Sequence, residues 1–284
     1  MAQVLTSSDG VGLRLTELRS GGPDTLLMLH GVGRAGRTFS ALATMLPARF
    51  RILALDFRGH GESGRAGAAY RIMDYLQDAL AAIDALPGQV TVYGHSLGSL
   101  VAAASAAARP GRVAAVLLED PPSATFWAGL AETQYHPTFE AMQRWAGRVD
   151  LGVAELAEKL GNEVVKSWPD GRVLRIRDVR DAVSLRFSAA CCRQLDPAVM
   201  TTILEGRWMQ GFSYEQSFGE VRCPALLMRG DPARGGMLSE DDATALATLL
   251  HDPVRLDFPT AGHLLHWQVR SELAGLASAF LECL

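Results

Sequence analysis

The residues best placed to do chemistry lie in the stretch Val90-Thr-Val-Tyr-Gly94-His95-Ser96-Leu97-Gly98-Ser-Leu-Val-Ala-Ala-Ala. A β-branched run leads into a G-x-S-x-G turn, and an alanine-rich run leaves it. A serine on a tight strand-to-helix turn has its Oγ held clear of the backbone at a helix N-terminus, where it can attack a substrate. Gly94 and Gly98 are expected to be small because such a turn folds back on its own strand and helix, where a Cβ would clash. In a chain with 28 glycines the bare pattern is an ordinary turn. Flanked by the right strand and helix, it marks Ser96 as a catalytic nucleophile.

A serine hydroxyl attacks only when an imidazole takes its proton and a carboxylate fixes that imidazole's tautomer. The base is expected just past the last strand, in Pro259-Thr-Ala-Gly262-His263-Leu-Leu-His266-Trp267. His263 directly follows a glycine after that strand and is the expected base. His266 lies one helical turn further on and is read as structural. A developing oxyanion needs preorganised N–H donors. Leu97, next to the serine, would supply one, and Val32 in the loop His30-Gly31-Val32-Gly33-Arg34 would supply the other.

The elements around these residues alternate. Val11–Leu18 alternates apolar and polar positions, as a half-buried antiparallel strand does. Continuous apolar runs follow at 26–29, 52–55, 90–93, 113–118, 225–228 and 254–258. Separated by helical stretches, they predict an α/β fold with a mostly parallel, doubly wound sheet flanked by helices. Tyr75–Leu86 has helical spacing and stops at Pro87-Gly88; the helix after Ser96 stops at Arg109-Pro110-Gly111. The rhythm breaks between Pro121-Pro122 and about Val221. No clear strand is expected there, and 139–145, 151–160, 173–187 and 197–212 read as helical. The division expected is a core of residues 1–122 and 221–284 with a helical cap, or lid, of residues 123–220 inserted between two strands. Trp127, Trp145, Trp168 and Trp208 all fall in that cap. They either pack it onto the core or line an apolar pocket.

Composition limits the partners. The chain has 284 residues, 48% of them hydrophobic, and a net charge of -4, which argues against a nucleic-acid or anionic-membrane partner, since either would call for a basic face. The four cysteines lack metal-ligand spacing, and adjacent Cys191 and Cys192 are unsuited to a mutual disulfide. Neither a signal peptide nor an apolar run long enough to span a bilayer is visible, so a cytoplasmic location is expected. The expected partner is a small-molecule substrate, with no cofactor and no metal.

The motifs His30-Gly31, Asp56-x-Arg58-Gly59-His60-Gly61-x-Ser63, Gly94-x-Ser96-x-Gly98 and Gly262-His263 occur in an order that resembles the α/β-hydrolase superfamily, in its lid-bearing branch. The resemblance spans nearly the whole chain. It implies that Asp56–Ser63 is a structural turn near the site. Most such relatives place the triad acid three residues after the glycine that ends the next-to-last strand, which here is Ala233. Asp231 could serve from a tighter turn, though Asp before Pro is also a common turn former. Other branches, including haloalkane dehalogenases and a fungal-type zearalenone lactonase, carry the acid after the strand that follows the serine's helix, in Leu117-Leu118-Glu119-Asp120-Pro121-Pro122. Asp120 is placed slightly ahead of Asp231. The activity implied is hydrolysis of a carboxylic ester or lactone of a mostly apolar substrate through an acyl-enzyme. A carbon-carbon bond hydrolase or a cofactor-free haloperoxidase would use the same residues. A non-turnover ligand receptor of the same fold, like some plant hormone receptors, would not need them.

Overall fold

The computed structural model describes residues 2–251 and 253–284. Eight strands form one sheet: β1 (Ala2–Thr6), β2 (Gly12–Arg19), β3 (Asp24–Leu29), β4 (Phe50–Leu55), β5 (Val90–His95), β6 (Val113–Glu119) and, later in the chain, Ala225–Gly230 and Pro253–Phe258. A separate antiparallel pair, β7 (Val164–Ser167) and β8 (Val173–Arg175), lies between them in sequence, so the last two sheet strands are β9 and β10. The spatial order is β1-β2-β4-β3-β5-β6-β9-β10. β1 and β2 run antiparallel at one edge, and every pair from β4 to β10 in that order is parallel.

Apolar runs make both faces of this sheet dry. Leu27, Leu29, Val92, Val116 and Leu118 point to one face, where helices Ile72–Ala85 and Leu97–Ala108 pack. Leu26, Met28, Ile52, Tyr93 and Leu117 point to the other, against Phe39, Leu42 and helix Arg270–Glu282. The period-2 alternation of a strand thus feeds two helical layers, the doubly wound arrangement that its sequence pattern predicts.

Between β6 and β9 no segment joins the sheet. That stretch holds helices Ala124–Ala128, Tyr135–Trp145, Val153–Asn162, Ala182–Gln194, Pro197–Leu204 and Tyr214–Gly219. Three details differ from the sequence reading. Val164–Ser167, in a stretch where no clear strand is expected, is the strand β7; Val173–Arg175, expected to be helical, is the strand β8; and the helix from Pro197 stops at Leu204 rather than at Phe212. In the last case Gly206 takes a φ of 68°, which ends the helix in the left-handed manner glycine favours.

Among the described residues no helix is long and apolar enough to cross a membrane.

Candidate active site

The parallel strands end level with one another. Leu29 pairs with Gly94, His95 with Glu119, and Glu119 with Met228, so the loops after β3, β5, β6 and β9 leave the sheet at one edge. Ser96 is the first residue past β5. Its φ of 56° and ψ of -118° lie where a non-glycine residue costs about 1–3 kcal/mol. The surroundings hold it there. Ser96 N–H donates to Glu119 O at 2.9 Å, and Ser99 Oγ donates to Gly94 O at 2.7 Å and to Glu119 O at 3.0 Å. A Cβ on Gly94 would sit far inside contact distance of the Gly98 carbonyl, and one on Gly98 would overlap the Leu29 carbonyl. Both glycines therefore do what the sequence pattern demands of them.

His263 and Asp120 meet across the same edge. The Nδ1 of His263 is 2.7 Å from Asp120 Oδ2. Facing a carboxylate, Nδ1 carries the proton and donates it, which leaves Nε2 as the acceptor nitrogen. Asp120 is wholly buried and has a φ of 44°. Its side chain accepts from Gly230 N–H at 3.0 Å and Met237 N–H at 2.9 Å, while its own N–H donates to Met228 O at 2.7 Å. Burial pushes the Asp120 carboxyl up to about 7, against the pull of those two N–H donors. Burial likewise pulls the His263 imidazole down, to about 3; Glu119 opposes the shift, while the cations Arg180 and Arg34 add to it.

Asp231 is elsewhere engaged. Its Oδ1 accepts from Ala233 N–H at 2.9 Å, its N–H donates to Ala261 O at 2.7 Å, and Arg234 lies 3.8 Å away. It caps a short 3-10 turn and makes no hydrogen bond with His263, so the alternative carboxylate is a turn former in this structure.

The loop that carries Val32 is pinned from below. Gly33 N–H donates to His60 Nε2 at 3.0 Å, Gly36 N–H to Asp56 Oδ1 at 2.6 Å, and Phe57 N–H to His30 Nε2 at 3.1 Å. Burial holds His30 near 4 and His60 near 3, so both rings are neutral acceptors at pH 7. Ser63 Oγ donates to Asp56 O, and Arg58 is clasped by two aspartates. The Asp56–Ser63 stretch is a scaffold. A Cβ on Gly31 would come within 2.7 Å of His95 Nδ1 and 3.1 Å of Ser96 Cβ, so the loop backbone runs directly beside the serine. Neither Val32 N–H nor Leu97 N–H has an acceptor among the described residues.

Two residues that the sequence reading did not single out support His263. His95 Nε2 donates to the His263 carbonyl at 2.9 Å. Glu119 accepts from His266 Nδ1 at 2.8 Å, from His266 N–H at 3.0 Å and from Tyr93 Oη. Burial would raise the Glu119 carboxyl, but the His266 and His95 rings and these bonds hold it at about 2. His95, Glu119 and His266 offer donor atoms within 4.8 Å of one another. His95 Nε2 is engaged with a backbone carbonyl, and His266 bonds Glu119 through Nδ1 and Thr38 through Nε2, which makes the trio a hydrogen-bonded floor beneath His263; the other ring nitrogen of His95, Nδ1, is buried without a partner.

Ser96 and His263 line one cavity. Its apolar wall includes Val32, Phe139, Met142, Leu160, Ile176 and Leu185, and all but Val32 come from the stretch between β6 and β9. The four tryptophans of that stretch are not part of this wall. Trp208 is 2% exposed and packs on Trp127 with ring centroids 4.5 Å apart, Trp145 donates to Glu163 Oε1 at 2.7 Å, and Trp168 borders an outer groove. Packing, not pocket lining, accounts for the first three. The outer groove shares Tyr135, Ile176, Arg180, His263 and Leu264 with the inner cavity and so opens onto it. Arg34 and Arg180 also line the inner cavity, a feature without a signal in the spacing of the sequence.

Residues 26–276 match the model of the alpha/beta hydrolase family. The chain belongs to that family. It is 30% identical over 251 residues to a pimeloyl-[acyl-carrier protein] methyl ester esterase of Chromobacterium violaceum, covering 85% of this chain and 87% of that one. It is 23% identical over 217 residues to the (E)-2-((N-methylformamido)methylene)succinate hydrolase of Acinetobacter baylyi, covering 73% and 72%. Among solved structures, the enol-lactonase of Burkholderia xenovorans LB400 superposes with a TM-score of 0.70 at 16% identity, over 99% of this chain and 100% of that one. The last likeness speaks for the fold alone.

Proposed function

We propose that this hydrolase-family protein cleaves a carboxylic ester or lactone of a mostly apolar substrate through an acyl-enzyme. In this reading Ser96 is the nucleophile, His263 the general base, Asp120 the triad acid, and the N–H groups of Val32 and Leu97 the oxyanion donors. The observation that carries it is the 2.7 Å bond from His263 Nδ1 to Asp120, in the cavity that a strained Ser96 also lines. With Nδ1 committed to Asp120, Nε2 takes the Ser96 Oγ proton as Oγ bonds to the carbonyl carbon. The oxyanion then rests on Val32 and Leu97 N–H, whose hydrogens have no protein acceptor to give up. As the C–O bond breaks, the imidazolium returns its proton to the leaving alkoxide, leaving Ser96 acylated. Water, deprotonated by the same Nε2, attacks the acyl carbon, and the proton goes back to Ser96 as the acid leaves.

The stretch 123–220 acts in this proposal as a lid, because its residues Tyr135, Phe139, Met142 and Leu160 wall the cavity that Ser96 and His263 also line. Resemblance to an esterase over most of both chains favours ester cleavage over the other reactions that this residue set supports. The test is a fluorophosphonate probe together with a panel of esters and lactones, macrolactones included. The expected result is labelling at Ser96, turnover of at least one panel member, and a loss on the order of 10⁴ or more in Ser96→Ala with the fold intact. Labelling of Ser96 with no turnover would favour a receptor, and turnover in Ser96→Ala would refute the nucleophile.

A further inference from the structure

We infer that the substrate bears a carboxylate in addition to the scissile ester, and that Arg34 and Arg180 hold it at the wall of the Ser96 cavity. The inference rests on the serine-hydrolase reading of that cavity. Arg34 is 6% exposed, and its guanidinium makes no hydrogen bond and no ion pair among the described residues; its Nη1 is wholly buried and unpartnered. It lies over the rings of Phe187 and Trp267, 5.5 and 5.9 Å from their centroids. The Nη1 of Arg180 is equally buried and unpartnered. Both side chains line the cavity that contains Ser96 and His263.

Elsewhere this fold neutralises a buried arginine. Arg58 is fully buried and is met by Asp78 at 2.7 Å and Asp9 at 2.6 Å. Among the described residues no carboxylate forms such an ion pair with Arg34 or Arg180. Asp181, which follows Arg180 in sequence, draws both guanidiniums up through its charge but forms no ion pair with either among the described residues, and it spends Oδ1 on the N–H groups of Val183 and Ser184 at the start of a helix, both at 2.9 Å. Tyr135 donates its hydroxyl to Gly235 O, and Cys191 is a thiol whose burial keeps it neutral. Burial pulls the Arg34 guanidinium down to about 9, and the like charge of Arg180 adds to that. Two cations facing one cavity with buried Nη1 atoms that no acceptor or ion pair meets among the described residues are costly, because a desolvated charge needs a partner. An anion from outside supplies it.

A carboxylate fits better than a phosphate. A guanidinium fork meets two carboxylate oxygens in one plane. A phosphate dianion would require further donors, and the hydroxyls of Thr138 and Ser188 on the wall already donate to the carbonyls of Gln134 and Ser184, at 2.7 and 2.9 Å. The substrate that suits the whole cavity is amphiphilic: a carbonyl at Ser96, an apolar body against Phe139, Met142 and Leu185, and an acid group at the arginines. Arg180 also borders the outer groove, so it would meet an incoming anion first.

The experiment compares matched substrates, the monomethyl and dimethyl esters of glutaric and adipic acids, on the intact protein. The wild type should prefer the half-ester by about tenfold or more in kcat/KM, and Arg34→Met and Arg180→Met should each shrink that preference toward unity, mainly by raising KM for the half-ester. Equal or better use of the diester by wild-type protein that is labelled at Ser96 would overturn the carboxylate site and leave the serine reading standing. Preference for a phosphorylated ester over the half-ester would overturn the choice of carboxylate. Should Ser96 fail to label, the serine reading falls, and calorimetric binding of adipate that weakens in both variants would still support the arginine site. Should Arg34→Met fail to fold, the wild-type ratio and Arg180→Met decide.

Discussion

At the scale of single residues, the site separates groups of like chemistry by what they touch. Asp120 and Asp231 both follow strands at the same sheet edge, yet one is buried against His263 and the other caps a turn. On the proposed mechanism, Asp120→Asn should lower kcat by roughly 10²–10⁴ with little change in KM, because tautomer and charge matter mainly in the transition state. Asp231→Asn should stay within a few-fold of wild type. Steady-state kinetics on the two purified variants decide between them, and the reverse ranking would transfer the role to Asp231. Neighbouring histidines divide in the same way: His263→Ala should match the loss in Ser96→Ala, whereas His266→Ala, which removes a ring bound to Glu119 and Thr38, should act chiefly through stability. Ser96 and His263 were legible because each sits at a fixed offset from a strand end in a marked local pattern. Arg34 and Arg180 were not, since the absence of a counter-charge is a fact of tertiary surroundings and leaves no trace in spacing. His95 and Glu119 were hidden for a similar reason: their partners lie 168 and 147 positions away.

At the scale of elements, the turn around Ser96 depends on bare backbone. The Gly98 Cα faces the end of β3 so closely that a methyl there would overlap the Leu29 carbonyl, and neither strand nor helix can retreat without breaking the sheet register. Gly98→Ala should therefore destabilise the fold by about 1–3 kcal/mol, the usual cost of forced overpacking. Denaturant titration of the variant measures this, and an unchanged midpoint would mean that the turn has slack. The buried strands announced themselves through continuous aliphatic runs, whereas β1 did not, because its five residues are almost all exposed and carry no apolar pattern. The β7–β8 pair escaped for a related reason: it is four residues against three, and only Val165 is buried. Tryptophan content pointed to a well-packed segment but not to its pocket face, since large aromatics serve both purposes equally.

At the scale of the molecule, the turn below the site is tied to the core by charge. Arg58 has no exposed surface and is held by Asp78 through its Nε, its Nη2 and its backbone N–H. Removing Asp78 leaves a buried cation with only the partly exposed Asp9 to face it. Asp78→Ala should cost roughly 3–5 kcal/mol, as breaking a buried pair does. Thermal or urea unfolding tests this, and a loss below about 1 kcal/mol would mean that water or Asp9 takes over the role. The doubly wound class was legible from the alternation of dry strands and helical stretches, because burial on both faces imposes near-continuous apolar runs and the helices between them supply the crossovers of a parallel sheet.

Asp120 is the residue after β6, and the groups that hold its carboxylate, Gly230 and Met237, are separated from it by 110 and 117 positions of chain. Tyr214 Oη donates to Pro122 O at 2.7 Å, so the two ends of the intervening stretch are fastened to each other a second time. In terms of connectivity, that stretch is a long loop with a closed buckle at its base. Whatever is threaded between the two halves of the buckle, Asp120 still faces His263. On the proposed mechanism, changes to the cavity wall in that loop leave the placement of the carboxylate beneath it unaltered.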